Sequence, residues 1–184
     1  NYLKKIFFLL KHRPSFKLVL NRIKKKKKYN SIKEIIHDKF KEDHFKGEIN
    51  NIEHHYAHLS SAFHVSSYEE SCILSVDGFG DFASTAWGYG NGNKIKIDNK
   101  IYFPHSLGIF YQSITQYLGF KNYGDEYKVM GLAPYGKPKY VEQLKKVLLI
   151  KKDGNFELNL DYFKFHKENF NYRWENGKVE IEDL

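Results

Sequence analysis

The sequence has a single cysteine in 184 residues, Cys72, and that scarcity excludes a disulfide framework. A reducing, cytoplasmic compartment is the expectation that follows. Cys72 stands inside the apolar run SCILSV and reads as a small buried hydrophobe. Long apolar runs are missing as well. IFFLL (6–10) is far short of the roughly 20 residues a spanning helix needs, so no membrane segment is expected. Lys4 and Lys5 precede that run as they would in a signal peptide, but no small-residue cleavage site follows it.

What is present is packing material. Apolar residues make up 41% of the chain and aromatics 17%, which excludes a disordered segment and suits one domain with a real core. The net charge of +8 is local, because RIKKKKK (22–28) supplies most of it. Such a run reads as a solvated helix face before it reads as a phosphate-binding patch. No aromatic residue interrupts the lysines to make a base-stacking platform, so nucleic acid is not an expected partner. The start at Asn1 and the end at Leu184, inside a charged run, lead us to expect a piece of a longer protein.

Three sections follow from pattern. Residues 1–46 read as a basic helical segment, in which Ser31 could cap SIKEIIHDKF with Glu34 three residues on. Residues 47–150 hold the chemistry-bearing runs, and 151–184 read as a tail of strands and loops. HHYAHLSSAF predicts a helix, and SCILSVDG a strand closed by a turn at its glycines. FASTAWGYG and KIKIDNKIYF predict a hairpin around GNGN. SLGIFYQSITQYLGF (106–120) has a helical apolar period with Gly119 near its end. GDEYKVMGLAPYGKPKY, rich in Gly and Pro, reads as loop with a short helical turn, and VEQLKKVLLI (141–150) as helix. Hairpin strands with packed helices make a mixed α/β layer the expected fold class.

His54 and His58 stand four apart, a spacing that puts both rings on one helix face, close enough to share a metal ion. The same pair would also serve as caps or exposed polar residues, and a third ligand is needed for a site. His55 points elsewhere and His64 lies far along the helix; both read as structural. ILSVDGFGD delivers Asp77 at a strand end, where a carboxylate can hold a hydrated cation. Gly78 and Gly80 then free a backbone that can offer N–H groups to phosphate, or simply make a turn. No GK[ST] follows, which excludes a P-loop. Asp125, Glu126 and Lys128 sit together in the Gly- and Pro-rich run, which composition alone would equally allow as a surface loop.

Taken in order and spacing, HHYAHLSSAF, ILSVDGFGD, FPHSLGIFYQSITQYLGF and GDEYKVMGLAPYGKPKY resemble the carbamoyltransferases of the nodulation and antibiotic-biosynthesis type, over roughly residues 50–142. The resemblance implies an actin-like ATPase, ribonuclease-H-like lobe, a mixed sheet with flanking helices, incomplete in this chain. It implies ATP and carbamoyl phosphate as substrates, a carbamoyl-adenylate, and transfer of the carbamoyl group to a hydroxyl of a sugar or natural product. It also implies a divalent metal, iron first with magnesium or manganese as alternatives, held by an HxxxH pair and a later Asp. On these positions His54 and His58 are the metal pair, and Asp77 orients the ion or its water. Asp77, Gly78 and Gly80 are the phosphate-facing turn, and Asp77, Glu126 and Lys128 the candidate catalytic residues. The family's opening strand, its later metal Asp and its second lobe are not matched here. The second lobe is therefore an expected partner, and the piece alone is expected to be inactive. Two other readings are a tRNA threonylcarbamoyl-type modification protein and a non-catalytic actin-like nucleotide-binding module.

Overall fold

Strict alternation along Ile73, Ser75 and the residues between them makes an extended strand the natural conformation here. In the computed structural model, which describes residues 2–28, 32–40, 47–168, 172–175 and 178–181, that strand is β1, Glu70–Gly80. It pairs antiparallel with β2 (Ala83–Asn91), which pairs antiparallel with β3 (Lys94–Tyr102). The β2–β3 hairpin turns at Gly92, whose positive φ of 57° is where glycine is needed. The arrangement is mixed α/β, an antiparallel sheet with flanking helices.

Before the sheet come helices α1 (Tyr2–His12), α2 (Phe16–Lys28), α3 (Ile32–Lys39) and α4 (His54–Phe63). Ser31, the expected cap of α3, lies outside the described residues, as do the side chains of 25–28 in the lysine run. After the sheet come α5 (Leu107–Tyr117), α6 (Glu126–Leu132) and α7 (Val141–Val147). Two small hairpins close the order, β4–β5 (Leu148–Ile150, Phe156–Leu158) and β6–β7 (Tyr172–Glu175, Lys178–Ile181). Among the described residues no helix is long and apolar enough to cross a membrane.

Helix α4 covers one sheet face. His55, Leu59 and Phe63 stand four apart and are all buried. Leu59 and Phe63 pack on Ile73 and Ala86, with Ile95 and Ile97 alongside. Each large apolar side chain so buried stabilises by about 1.5–3 kcal/mol. A second core gathers Leu158, Phe163 and Phe165 against Phe79, Phe103, Ile109 and Phe110. Phe8 of α1 joins it edge-on, its ring 4.7 Å from that of Phe103.

Four expectations change. The turn closing β1 is not at Gly78 and Gly80, which lie in the strand, but at Asp81 and Phe82, both at positive φ. Within this run EYKVMGL is a regular helix, α6, followed by a 3₁₀ turn at Ala133–Tyr135 where Pro134 fits the first turn. VEQLKKVLLI divides into helix α7 and strand β4. Cys72 is exposed, not buried. Its side chain follows the other set of the alternation, with Leu74 and Val76, on the face α4 does not cover. A thiol reagent added to the native protein is accordingly expected to label one cysteine per chain at the rate of an open thiol; protection until denaturant is added would contradict the exposed placement.

Candidate metal centre

The stripe that buries His55 decides where its neighbours go. With 55, 59 and 63 turned to the sheet, His54 and His58 fall on the adjoining face of α4, one turn apart. The sheet meets them with a distortion. Val76 pairs with Thr85 and Gly80 with Ala83, so β1 carries extra residues between them and bulges. Asp77 stands in this bulge.

The three side chains converge. His54 Nε2 lies 2.7 Å from Asp77 Oδ2, and His58 Nε2 lies 3.5 Å from the same oxygen. The two Nε2 atoms are 3.0 Å apart. Donors about 2.1 Å from one ion, set at right angles to tetrahedral angles, lie roughly 3.0–3.4 Å apart. The 3.0 and 3.5 Å separations are close to that, and the 2.7 Å one, a hydrogen bond here, would open by a few tenths of an ångström around a shared cation. Two imidazoles and one carboxylate are the donor set that leaves open positions for substrate on an iron(II)-type centre. All three side chains are partly open to solvent, which leaves a path of entry.

Supporting contacts hold these three side chains. Gly78 N–H donates to Asp77 Oδ1 at 2.6 Å, leaving Oδ2 for the imidazoles. Partial burial pushes the Asp77 carboxyl up. The His54 hydrogen bond, the Gly78 N–H and the charges of His54 and His58 outweigh it, and the group is held below its ordinary value. Ser106 caps α5 by accepting from Ile109 N–H, and its hydroxyl lies 3.0 and 2.8 Å from the carbonyls of Asp77 and Gly78. Gly108 lets the first turn of α5 rest on the bulge, since a Cβ there would stand 2.8 Å from Asp77 O. His55 Nδ1 meets Ser75 Oγ at 2.9 Å, which ties α4 to β1 from within the core. His55 is thus structural, as expected; His64 ends the helix, its N–H donating to Ser60 O.

The remaining candidates stand differently. Gly80 lies directly under the His54 ring. Gly78 commits its N–H to Asp77. Asp125 is buried and closes its own loop: its Oδ2 accepts from the backbone and side-chain nitrogens of Asn122, and its Oδ1 pairs with Lys128 Nζ at 2.6 Å. Lys128 also lies over the Phe120 and Tyr127 rings. Glu126 opens α6, and its carbonyl accepts from the Tyr111 hydroxyl. Among the described residues only His54, His58 and Asp77 form a close ligand group, so Glu126 is not part of it. Sequence reading missed Ser106, Gly108 and Asp81; the serine one residue before a helical period was the available signal for the first.

The sequence pattern of the family described as Carbamoyltransferase N-terminus matches residues 9–175. The chain belongs to the carbamoyltransferase N-terminus family. The match extends on both sides of the 50–142 stretch in which the motifs lie and includes every ligand of the cluster. Relatives of the family chain include the uncharacterized protein sll1178 of Synechocystis sp., 48% identical over 61% of this chain and 18% of that protein. The nodulation protein NolNO of Sinorhizobium fredii is 47% identical over 49% of this chain and 13% of its own length. NolO of Bradyrhizobium diazoefficiens is 41% identical over 59% of this chain and 20% of its own. The aligned stretches thus cover a fifth or less of these relatives.

Proposed function

We propose that this chain carries the metal-holding part of an ATP-dependent O-carbamoyltransferase. In this reading the whole protein takes the carbamoyl group of carbamoyl phosphate, through a carbamoyl-adenylate, to a hydroxyl of a sugar or natural product. The fold we assign to the lobe is the actin-like, ribonuclease-H-like one. The observation that carries the reading is the meeting of His54 Nε2, His58 Nε2 and Asp77 Oδ2 within one ion's reach, in a chain of this family.

The division of labour follows from the donors. His54, His58 and Asp77 hold a divalent cation, and their nitrogen-rich set suits iron better than magnesium, which prefers oxygen. Bound there, the cation supplies charge neutralisation and Lewis-acid polarisation beside phosphate oxygens. The chain's own residues bind and orient. Asp77, held ionised, keeps both rings turned to one point. Lys128, paired with Asp125, orders the start of α6 and leaves Glu126 as that segment's carboxylate for substrate. Transfer itself needs positioning more than a protein nucleophile, since the acceptor hydroxyl attacks the carbamoyl carbon and AMP departs.

Metal analysis of the full-length protein is the test. His58→Ala removes one of three donors and is expected to lower metal affinity by about 100-fold or more, at or beyond the upper end of what loss of an outer-shell partner costs. Carbamoyl transfer from labelled carbamoyl phosphate is expected to fall with it. Unchanged metal content and turnover would sink the proposal.

A further inference from the structure

The turn between β1 and β2 is built against its own sequence. Gly80 pairs with Ala83, so Asp81 and Phe82 alone make the connection, with φ of 51° and 73°. A two-residue hairpin with both central residues at positive φ is the kind that normally holds Asn and Gly. An aromatic residue in the left-handed region is strained, and such strain persists only where surrounding contacts overdetermine it. Two sets of contacts do so here. The Phe82 ring packs on Phe103 at 5.5 Å and Phe8 at 6.1 Å. The Asp81 carboxylate reaches the start of α4 and accepts from the His54 backbone N–H at 2.9 Å.

That second contact joins the two elements that carry the ligands. Asp77 belongs to the β1 bulge and His54 to the first residue of α4, 23 positions earlier. Glu53 satisfies the Tyr56 N–H from within the helix's own chain, so the cap is already made without Asp81. What Asp81 adds is a tether from the strand's turn to the ligand residue itself. We infer that Asp81 is a positioning residue for the metal centre: the strained turn exists to hold the His54 backbone at the distance at which its ring meets Asp77 Oδ2. The inference rests on the metal reading above and deepens it.

The experiment separates this role from a structural one. Asp81→Gly removes the carboxylate and gives the left-handed position the residue it favours, so the turn keeps or gains stability. Asp81→Asn tolerates the same φ and keeps a side-chain oxygen for the His54 N–H. Cobalt(II) is titrated into the full-length protein and both variants, following the visible absorption band, and melting temperatures are taken on the same samples. Expected is a melting temperature in Asp81→Gly at or above that of the parent, with cobalt affinity about 10-fold weaker and an altered band, while Asp81→Asn stays close to the parent. Unchanged affinity and spectrum in Asp81→Gly would overturn the inference. So would equal loss in Asp81→Asn, or an affinity loss that merely accompanies a fall in melting temperature. A parent protein that takes up no cobalt would overturn the metal reading itself, a failure distinct from these.

Discussion

Gly80→Ala is expected to empty the proposed metal centre although it removes none of its donor atoms. A Cβ at position 80 would stand 1.9 Å from His54 Cδ2 and 2.4 Å from the Nε2 that faces Asp77. No side chain tolerates such an approach, so the ring has to leave. The His54 side chain is 38% exposed and can swing into water, which keeps the cost to the fold small, within about 1 kcal/mol. The backbone at Gly80 is not in the left-handed region, so alanine brings no strain of its own. The loss falls on the site: His54 Nε2 is the atom nearest both partners, at 3.0 Å from His58 and 2.7 Å from Asp77. Metal affinity is expected to drop by about 100-fold or more, the upper end of what a displaced ligand shell costs, with the melting temperature nearly unchanged. Gly78→Ala is the control, because a Cβ there meets nothing within 4 Å. It keeps the N–H that Asp77 accepts and should leave metal affinity as it was. Equal metal binding by Gly80→Ala and its parent would show that the His54 ring is not a ligand in the pose described.

The contrast between those two glycines marks where sequence reading stops. In DGFGD they look alike, two small residues after an acid, and the family resemblance implies a phosphate-facing turn for both. Only the register slip between Val76 and Gly80 decides that one abuts an imidazole and the other faces open space. The HxxxH pair was legible because helical spacing is a local property. That Asp77 meets the pair was half legible: the strand end could be read, the bulge that aims the carboxylate could not. Cys72 shows the same limit on a sheet. Alternation along β1 is plain in the sequence, but which set meets α4 depends on the stripe His55, Leu59 and Phe63 in another element. In α6 the error ran the other way. Gly131 and Pro134 read as breakers, yet Gly131 meets no neighbour and Pro134 falls in the first turn of a new 3₁₀ segment, where its missing N–H costs nothing. Membership of the family was readable from four motifs because their order and spacing are themselves sequence facts. Which face of the sheet α4 covers was not.

Acid is expected to loosen the second core well before carboxylates titrate. His166 is 2% exposed, its ring stands edge-on to His12 at 5.7 Å and Phe165 at 6.0 Å, and its Nδ1 has no hydrogen-bond partner among the described residues. Burial disfavours the charged ring, Lys167, His12 and His105 repel it, and Asp161 only partly offsets them, so its pKa is pushed down to about 4. The unfolded chain would protonate the same ring near 6.5. Between these values the unfolded state takes up a proton the folded state refuses, and stability falls as pH falls; above about 6.5 nothing is lost. From pH 7 to 5 the loss through this one ring is about 2 kcal/mol, or roughly 4–8 °C in melting temperature for a chain of this size. His12 and His105, both lowered chiefly by burial, act in the same direction. The Asp77, Glu53 and Asp125 carboxyls, all held below their ordinary values, lose their contribution only at lower pH, so the interval isolates the histidines. His166→Phe keeps a flat ring against Phe165 and His12 and removes the buried nitrogen. It should flatten the melting curve's pH dependence across that interval. A variant that melts with the parent's full acid slope would place the acid-sensitive group elsewhere, because a phenyl ring cannot bind the proton on which the argument turns.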